Sequence, residues 1–168
     1  GAAGASMIRV GLAHDVKKAR ATAEGGFEVS VYSQSTRSWT SRGGDEWAFS
    51  AAGIGLRGSG PAGSFEIDAG TVRLTPSGPW TVVFDGTRYR GELEFFVTGS
   101  GHLAVVNVLD LESYLRGVVP REIGPGKESE IEAVKAQAVA ARTYAIASWG
   151  KRAEGDFDVF STVADQAY

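Results

Sequence analysis

The chain has 168 residues, 43% hydrophobic and 22% charged, enough for one domain with a substantial core. A net charge of −3 with interspersed signs excludes the clustered Lys and Arg that bind nucleic-acid phosphates, and no apolar run approaches the ~20 residues of a membrane span. There is no cysteine and only two histidines, His14 and His102, so disulfides, thiolate chemistry and Cys-ligated zinc are out, and a Ser-His-Asp triad or multi-His metal site is disfavoured. Gly1 to Ser6 reads as a cloning remnant ahead of Met7. Any chemistry must run on carboxylates, Arg, Tyr or hydroxyls.

The first two thirds read as β. Short β-branched or aromatic-rich runs predict strands over Met7–Leu12, Phe27–Tyr32, Glu46–Ser50, Ser64–Asp68, Thr71–Leu74, Trp80–Phe84, Arg88–Val97 and His102–Leu109. Turn residues separate them, and Asp85-Gly86 between two strand-like runs predicts a two-residue hairpin loop. Gly99-Ser100-Gly101 closes a further hairpin, and alternation of Glu92 and Glu94 with apolar neighbours marks the strand before it. The stretch Arg37 to Glu46 reads as a solvated loop. Two overlapping G-x-G-x-x-G matches, Gly53 to Gly58 and Gly58 to Gly63, lack the helix that a dinucleotide site requires, since Pro61 and then a strand follow. They read as hairpin turns.

After Leu109 the period changes. Asp110 is a candidate N-cap for a short helix, Leu111–Arg116, with Gly117 as its αL cap. A second helix starts near Ser129, where Ser129-Glu130-Ile131-Glu132 fits a capping box, and runs to about Trp149. Ile131, Val134, Ala138, Ala141 and Ala145 share one face, which Ser148 continues, and Val139, Ala140 and Ile146 widen the apolar surface. That pattern predicts a helix buried on more than one side. Strands followed by helices give an α+β fold: a β-rich region of short antiparallel strands and hairpins, then a short helix and a long, buried Ala-rich helix. Residues 7–168 are expected to form a single domain, with a β-rich lobe over 7–87 and a motif-bearing part over 88–168.

Between the two helices Glu122 sits among Val118, Val119, Pro120, Ile123 and Pro125. Burial there would favour a protonated carboxyl, the form needed to protonate a glycosidic oxygen. Equally, Glu122 could cap the next helix or pair with Arg121 or Arg142, and residue physics alone favours that structural role. Gln137, Arg142 and Tyr144 lie on or beside the second helix and must find hydrogen bonds, bracing the Glu122 segment or each other. Tyr114 and Leu115 read as core, while Glu112, Asn107 and Arg90 could reach the same corner. Trp39, Trp47, Trp80 and Trp149 are candidate sugar-stacking platforms, and their spacing selects none of them.

Several blocks in order, Tyr89-Arg90-Gly91, Val106-Asn107-Val108-Leu109, Leu111-Glu112-Ser113-Tyr114-Leu115, Gly117-Val118-Val119-Pro120-Arg121-Glu122, Lys135 to Ala145 and Gln166-Ala167-Tyr168, resemble the SpoIID/LytB family from about residue 88 onward. The resemblance implies a lytic transglycosylase of bacterial peptidoglycan, acting outside the cytoplasm on glycan strands, and the enzymatic relatives act on glycan stripped of its peptides. It assigns Glu122 the catalytic position; Arg121, Gln137, Arg142, Tyr144, Tyr114 and Gln166 are the candidate supporting or substrate-binding residues around it. Some relatives bind zinc through Cys and His near the Gln-x-Tyr block; residues 156–165 contain neither, so no metal and no cofactor are expected. The family domain continues past Gln-x-Tyr into a Ser- and Gly-rich block, so part of the cleft is expected to lie beyond Tyr168. The alternative implied by LytB members is a non-catalytic glycan-binding modifier of a cell-wall amidase.

Overall fold

In a computed structural model the described residues are 6–123, 131–148 and 158–160, with the backbone alone described for 121–123, 159 and 160. The fold is α+β, with a β-rich N-terminal region and the helices after it. The chain forms two compact units: Leu12–Asn107, and Gly1–Gly11 with Val108–Tyr168. Strands β1 (Met7–Val16) and β12 (Leu103–Asp110) contribute residues to both.

The Leu12–Asn107 unit consists of antiparallel strands in two sheets. One has the order β10 (Thr87–Tyr89), β9 (Val82–Phe84), β2 (Lys18–Ala23), β5 (Trp47–Ala52), β6 (Gly55–Gly60) and β7 (Gly63–Ile67). The other runs β12, β11 (Glu92–Val97), β8 (Thr71–Pro76), β3 (Phe27–Tyr32) and β4 (Thr36–Ser41). Alternation along β3 sends Phe27, Val29 and Val31 inward, and they are fully buried. Phe49 of β5 stacks on Phe95 of β11, ring centroids 4.1 Å apart, so the two inner faces share one core. Trp47 is also fully buried, and its indole N–H donates to the Ser41 hydroxyl at 2.8 Å.

The predicted Asp85-Gly86 loop closes β9 onto β10 with Phe84 opposite Thr87. Both loop residues have positive φ, 50° and 74°, the signature of a type I′ turn. Three strands depart from the sequence expectation. The segment read as a solvated loop holds most of β4, an edge strand that exposes Thr36, Arg37, Ser38 and Thr40, buries Ser41 and pairs along all of β3. Strand β2 is rich in Ala, and β6 lies between the two glycine turns inside the overlapping G-x-G-x-x-G matches. No helix follows those matches, so the dinucleotide context is absent. Their glycines instead make room for rings: a Cβ on Gly58 would lie 2.3 Å from Phe65 Cε1, and one on Gly60 would lie 2.6 Å from the Trp47 ring.

The second unit carries α1 (Leu111–Ile123), α2 (Ile131–Ser148) and β13 (Val159–Phe160). Strand β13, which the sequence did not suggest, pairs in parallel with β1, Val10 opposite Val159. Asp158 braces that pairing: its carboxylate accepts the Arg9 N–H at 2.9 Å and its own N–H donates to the Arg9 carbonyl at 2.8 Å. None of the described helices is long and apolar enough to cross a membrane.

Candidate active site

Helix α1 starts where the sequence predicts. The Asp110 carboxylate accepts the Ser113 backbone N–H at 2.8 Å, an N-cap geometry. Hydrogen bonds from the Ser113 side chain, then from its backbone, hold the Asp110 carboxyl below the usual carboxylate range.

The expected stop at Gly117 does not occur. The helix runs on through Gly117 and Pro120 to Ile123. Tyr114, Leu115, Val118 and Val119, at steps of three and four, are all buried. Burying that stripe outweighs the roughly 1 kcal/mol that an interior glycine costs and the roughly 3 kcal/mol of an interior proline. Glu122 therefore belongs to the last turn of a helix, not to a Pro- and Gly-bounded turn. By register it follows Val119 by three residues and Leu115 by seven, on the same helical face.

Leu115 and Val119 line an open groove of about 360 Å³ between α1 and α2, together with Glu112, Arg116, Pro120, Ala138 and Arg142. Across it Arg142 grips Glu112 with a two-pronged contact, Nη2 to both carboxylate oxygens at 2.9 Å and Nε to Oε1 at 3.2 Å. Planar pairing of this kind fixes the guanidinium direction, though its exposure keeps the stabilisation to about 1 kcal/mol or less. Arg142, named in the sequence as a brace for Glu122, has its described ion pair with Glu112.

The expectation that α2 is buried on more than one side is overturned. Its buried residues are Ala141, Ala145 and Ser148, part of the predicted row. Val139 is 59% exposed, Ile131 52% and Ile146 46%. Alanine misleads here because it is the best helix former and is almost neutral about burial. Of the remaining candidates, Tyr114 is fully buried, Gln137 is half-buried and Tyr144 is exposed. Gln166 and Trp149 lie outside the described residues, as do Ser129 and Glu130 of the capping box and the side chains of Arg121 and Glu122. Asn107 is fully buried, and its side-chain amide donates to the Arg90 and Glu92 carbonyls at 2.8 and 2.9 Å. His102 pairs with Asp15 at 2.8 Å. The groove wall itself was legible only with an unbroken α1: Glu112, Arg116, Val119 and Pro120 follow helical spacing once Gly117 is read through.

Residues 99–168 match the SpoIID family model, described as Stage II sporulation protein. The match covers α1, Glu122 and α2, and it ties this part of the chain to a cell-wall-related function. The chain is also similar to an uncharacterized protein of Brachyspira hyodysenteriae (strain ATCC 49526 / WA1), 44% identical over 85 residues. That similarity covers 50% of the chain and 22% of the relative. No solved structure matches the chain.

Proposed function

We propose that the protein is an extracytoplasmic lytic transglycosylase that cleaves the β-1,4 bond between N-acetylmuramic acid and N-acetylglucosamine. The carrying observation is the family match over residues 99–168, which includes Glu122; the resemblance of the block at residues 117–122 is what gives Glu122 the catalytic part in this reading. By backbone register Glu122 continues the row of Leu111, Leu115 and Val118, of which Leu115 also edges the α1–α2 groove.

The chemistry needs one carboxyl group. Glu122 donates its proton to the N-acetylglucosamine O4 as the C1–O4 bond breaks. The resulting carboxylate then takes the proton of the muramic C6 hydroxyl while O6 bonds to C1. No water is consumed, and a second carboxylate at glycosidase separation is unnecessary. The Arg142–Glu112 pair would hold α1 and α2 in register around the groove.

The test is mass analysis of sugars released from peptide-free peptidoglycan glycan by wild type and by Glu122→Gln. Anhydro-ended products from wild type alone are expected. Reducing-end products would mean hydrolysis and overturn the mechanism. Intact binding without any product would favour a glycan-binding modifier of an amidase.

A further inference from the structure

The structure separates the tryptophans that the sequence left equivalent. Trp47 is fully buried, and Trp39 is half-buried against Phe65, with ring centroids 5.7 Å apart. Trp80 is 49% exposed. A Cβ on Gly25 would lie 2.3–2.4 Å from Trp80 Cε2, Nε1 and Cδ1. Near-equal distances to three ring atoms put Gly25 over one face of the indole, and a Cβ on Gly78 would lie 3.2 Å from Nε1 and 3.4 Å from Cδ1, so the half-exposed ring is held from two sides.

Trp80 lines a groove of about 400 Å³ whose polar wall is Thr75, Thr81, Arg90 and Glu92. Its size falls in the usual range for small-ligand sites, roughly 300–1,000 Å³. Among the described residues neither the Arg90 guanidinium nor the Glu92 carboxylate has a hydrogen-bond or ion-pair partner. The loop that carries Trp80 is tied at both ends. The Ser77 N–H donates to the Gly26 carbonyl at 2.8 Å, and the Glu24 N–H donates to the Thr81 carbonyl at 3.0 Å. Glu24 also accepts the Thr81 hydroxyl and pairs with Arg88 at 2.7 Å. A fixed aromatic face beside an unspent donor and an unspent acceptor is a geometry that a flat, apolar ligand alone would not use. A pyranose does use it: its C–H face packs on the indole while its hydroxyl and acetamido groups meet Glu92 and Arg90.

We propose that the Trp80 groove is a saccharide subsite that grips an N-acetylhexosamine ring of the glycan strand. The proposal rests on the glycan reading above and adds a binding site in the Leu12–Asn107 unit, outside the matched segment. Preorganisation of the loop limits the ordering cost of binding.

The test is calorimetric titration of the full chain with N-acetylglucosamine tetramer and with peptide-free glycan, for wild type, Trp80→Ala, Trp80→Tyr and Glu122→Gln. Trp80→Ala is expected to weaken binding about tenfold, the loss of one stacked ring face. Trp80→Tyr, which keeps a face, should stay within about threefold and controls for any folding defect of the Ala variant. Wild-type affinity in Trp80→Ala, with cleavage still lost in Glu122→Gln, would overturn the subsite and leave the transglycosylase standing. A wild type that neither binds nor cleaves glycan would remove both.

Discussion

Replacing Gly58 by Ala tests the idea that the glycine pattern serves ring packing. The new methyl would sit 2.3 and 2.5 Å from Phe65 Cε1 and Cζ and 3.1 Å from Phe49 Cδ1. Carbon contacts are optimal near 3.5–4.0 Å, so the Phe65 ring would have to retreat by about 1 Å or more. It has little room, because Phe65 is 6% exposed, with Trp39 5.7 Å and Trp47 6.4 Å away between centroids. Phe49 is equally confined by Phe95 at 4.1 Å. Overpacking of this kind costs about 1–3 kcal/mol, and the closeness of two ring atoms favours the upper end. Since Gly58 does not have positive φ, alanine recovers a few tenths to 1 kcal/mol through the unfolded chain. A net loss of about 2 kcal/mol is expected, lowering Tm by roughly 4–8 °C. Urea and thermal unfolding followed by circular dichroism would read it. Gly99→Ala, whose Cβ meets nothing within 4 Å, serves as the control. Combining Gly58→Ala with Phe65→Leu, which removes the clashing ring atoms, should restore part of the loss. A Gly58→Ala protein that melts at or above the wild-type temperature would refute the packing.

Two further outcomes follow from buried or capping polar groups. Asp110→Ala removes the α1 cap and should cost about 1 kcal/mol at neutral pH. Because the folded-state carboxyl is held below its ordinary value, that contribution is present above the unfolded pKa of ~3.9 and is lost as pH falls through the lower folded value; melts of the two proteins should converge in acid, and a constant gap would contradict the cap. Asn107→Ala strands the Arg90 and Glu92 carbonyls and should cost about 1–3 kcal/mol in urea titrations, with an unchanged midpoint arguing against those bonds.

What the sequence shows well is what local chemistry decides. The Asp85-Gly86 turn, strand Phe27–Tyr32 and the Asp110 cap each follow from one or two residues with a strong conformational preference. The missed strands lack an apolar alternation to announce them. Strands β2 and β6, with sequences KARATA and GLRGSG, owe their conformation to the strands and rings beside them, while β4, TRSWTS, has strand-favouring Thr36, Trp39 and Thr40 but reads as a polar loop because its other residues are Ser and Arg. Alternation marks the strand of Glu94 but not its burial: Glu94 is 6% exposed and pairs at 3.3 Å with Arg73 on the neighbouring strand. In the candidate site, Gly117 and Pro120 look like a helix end in isolation. The buried stripe of Tyr114, Leu115, Val118 and Val119 decides otherwise, and that depends on what the helix packs against. The choice among the tryptophans was beyond spacing for the same reason: exposure is a property of neighbours such as Gly25 and Phe65.

The aromatic cluster also gives the protein an optical signature. Trp39 and Trp47 lie 5.8 Å apart at 52°, close enough and tilted enough for their excited states to couple. Their coupled transitions should add a tryptophan feature to the far-ultraviolet spectrum beside the helix bands of α1 and α2, and replacing Trp39 by Phe should remove that feature while leaving the helix signal in place.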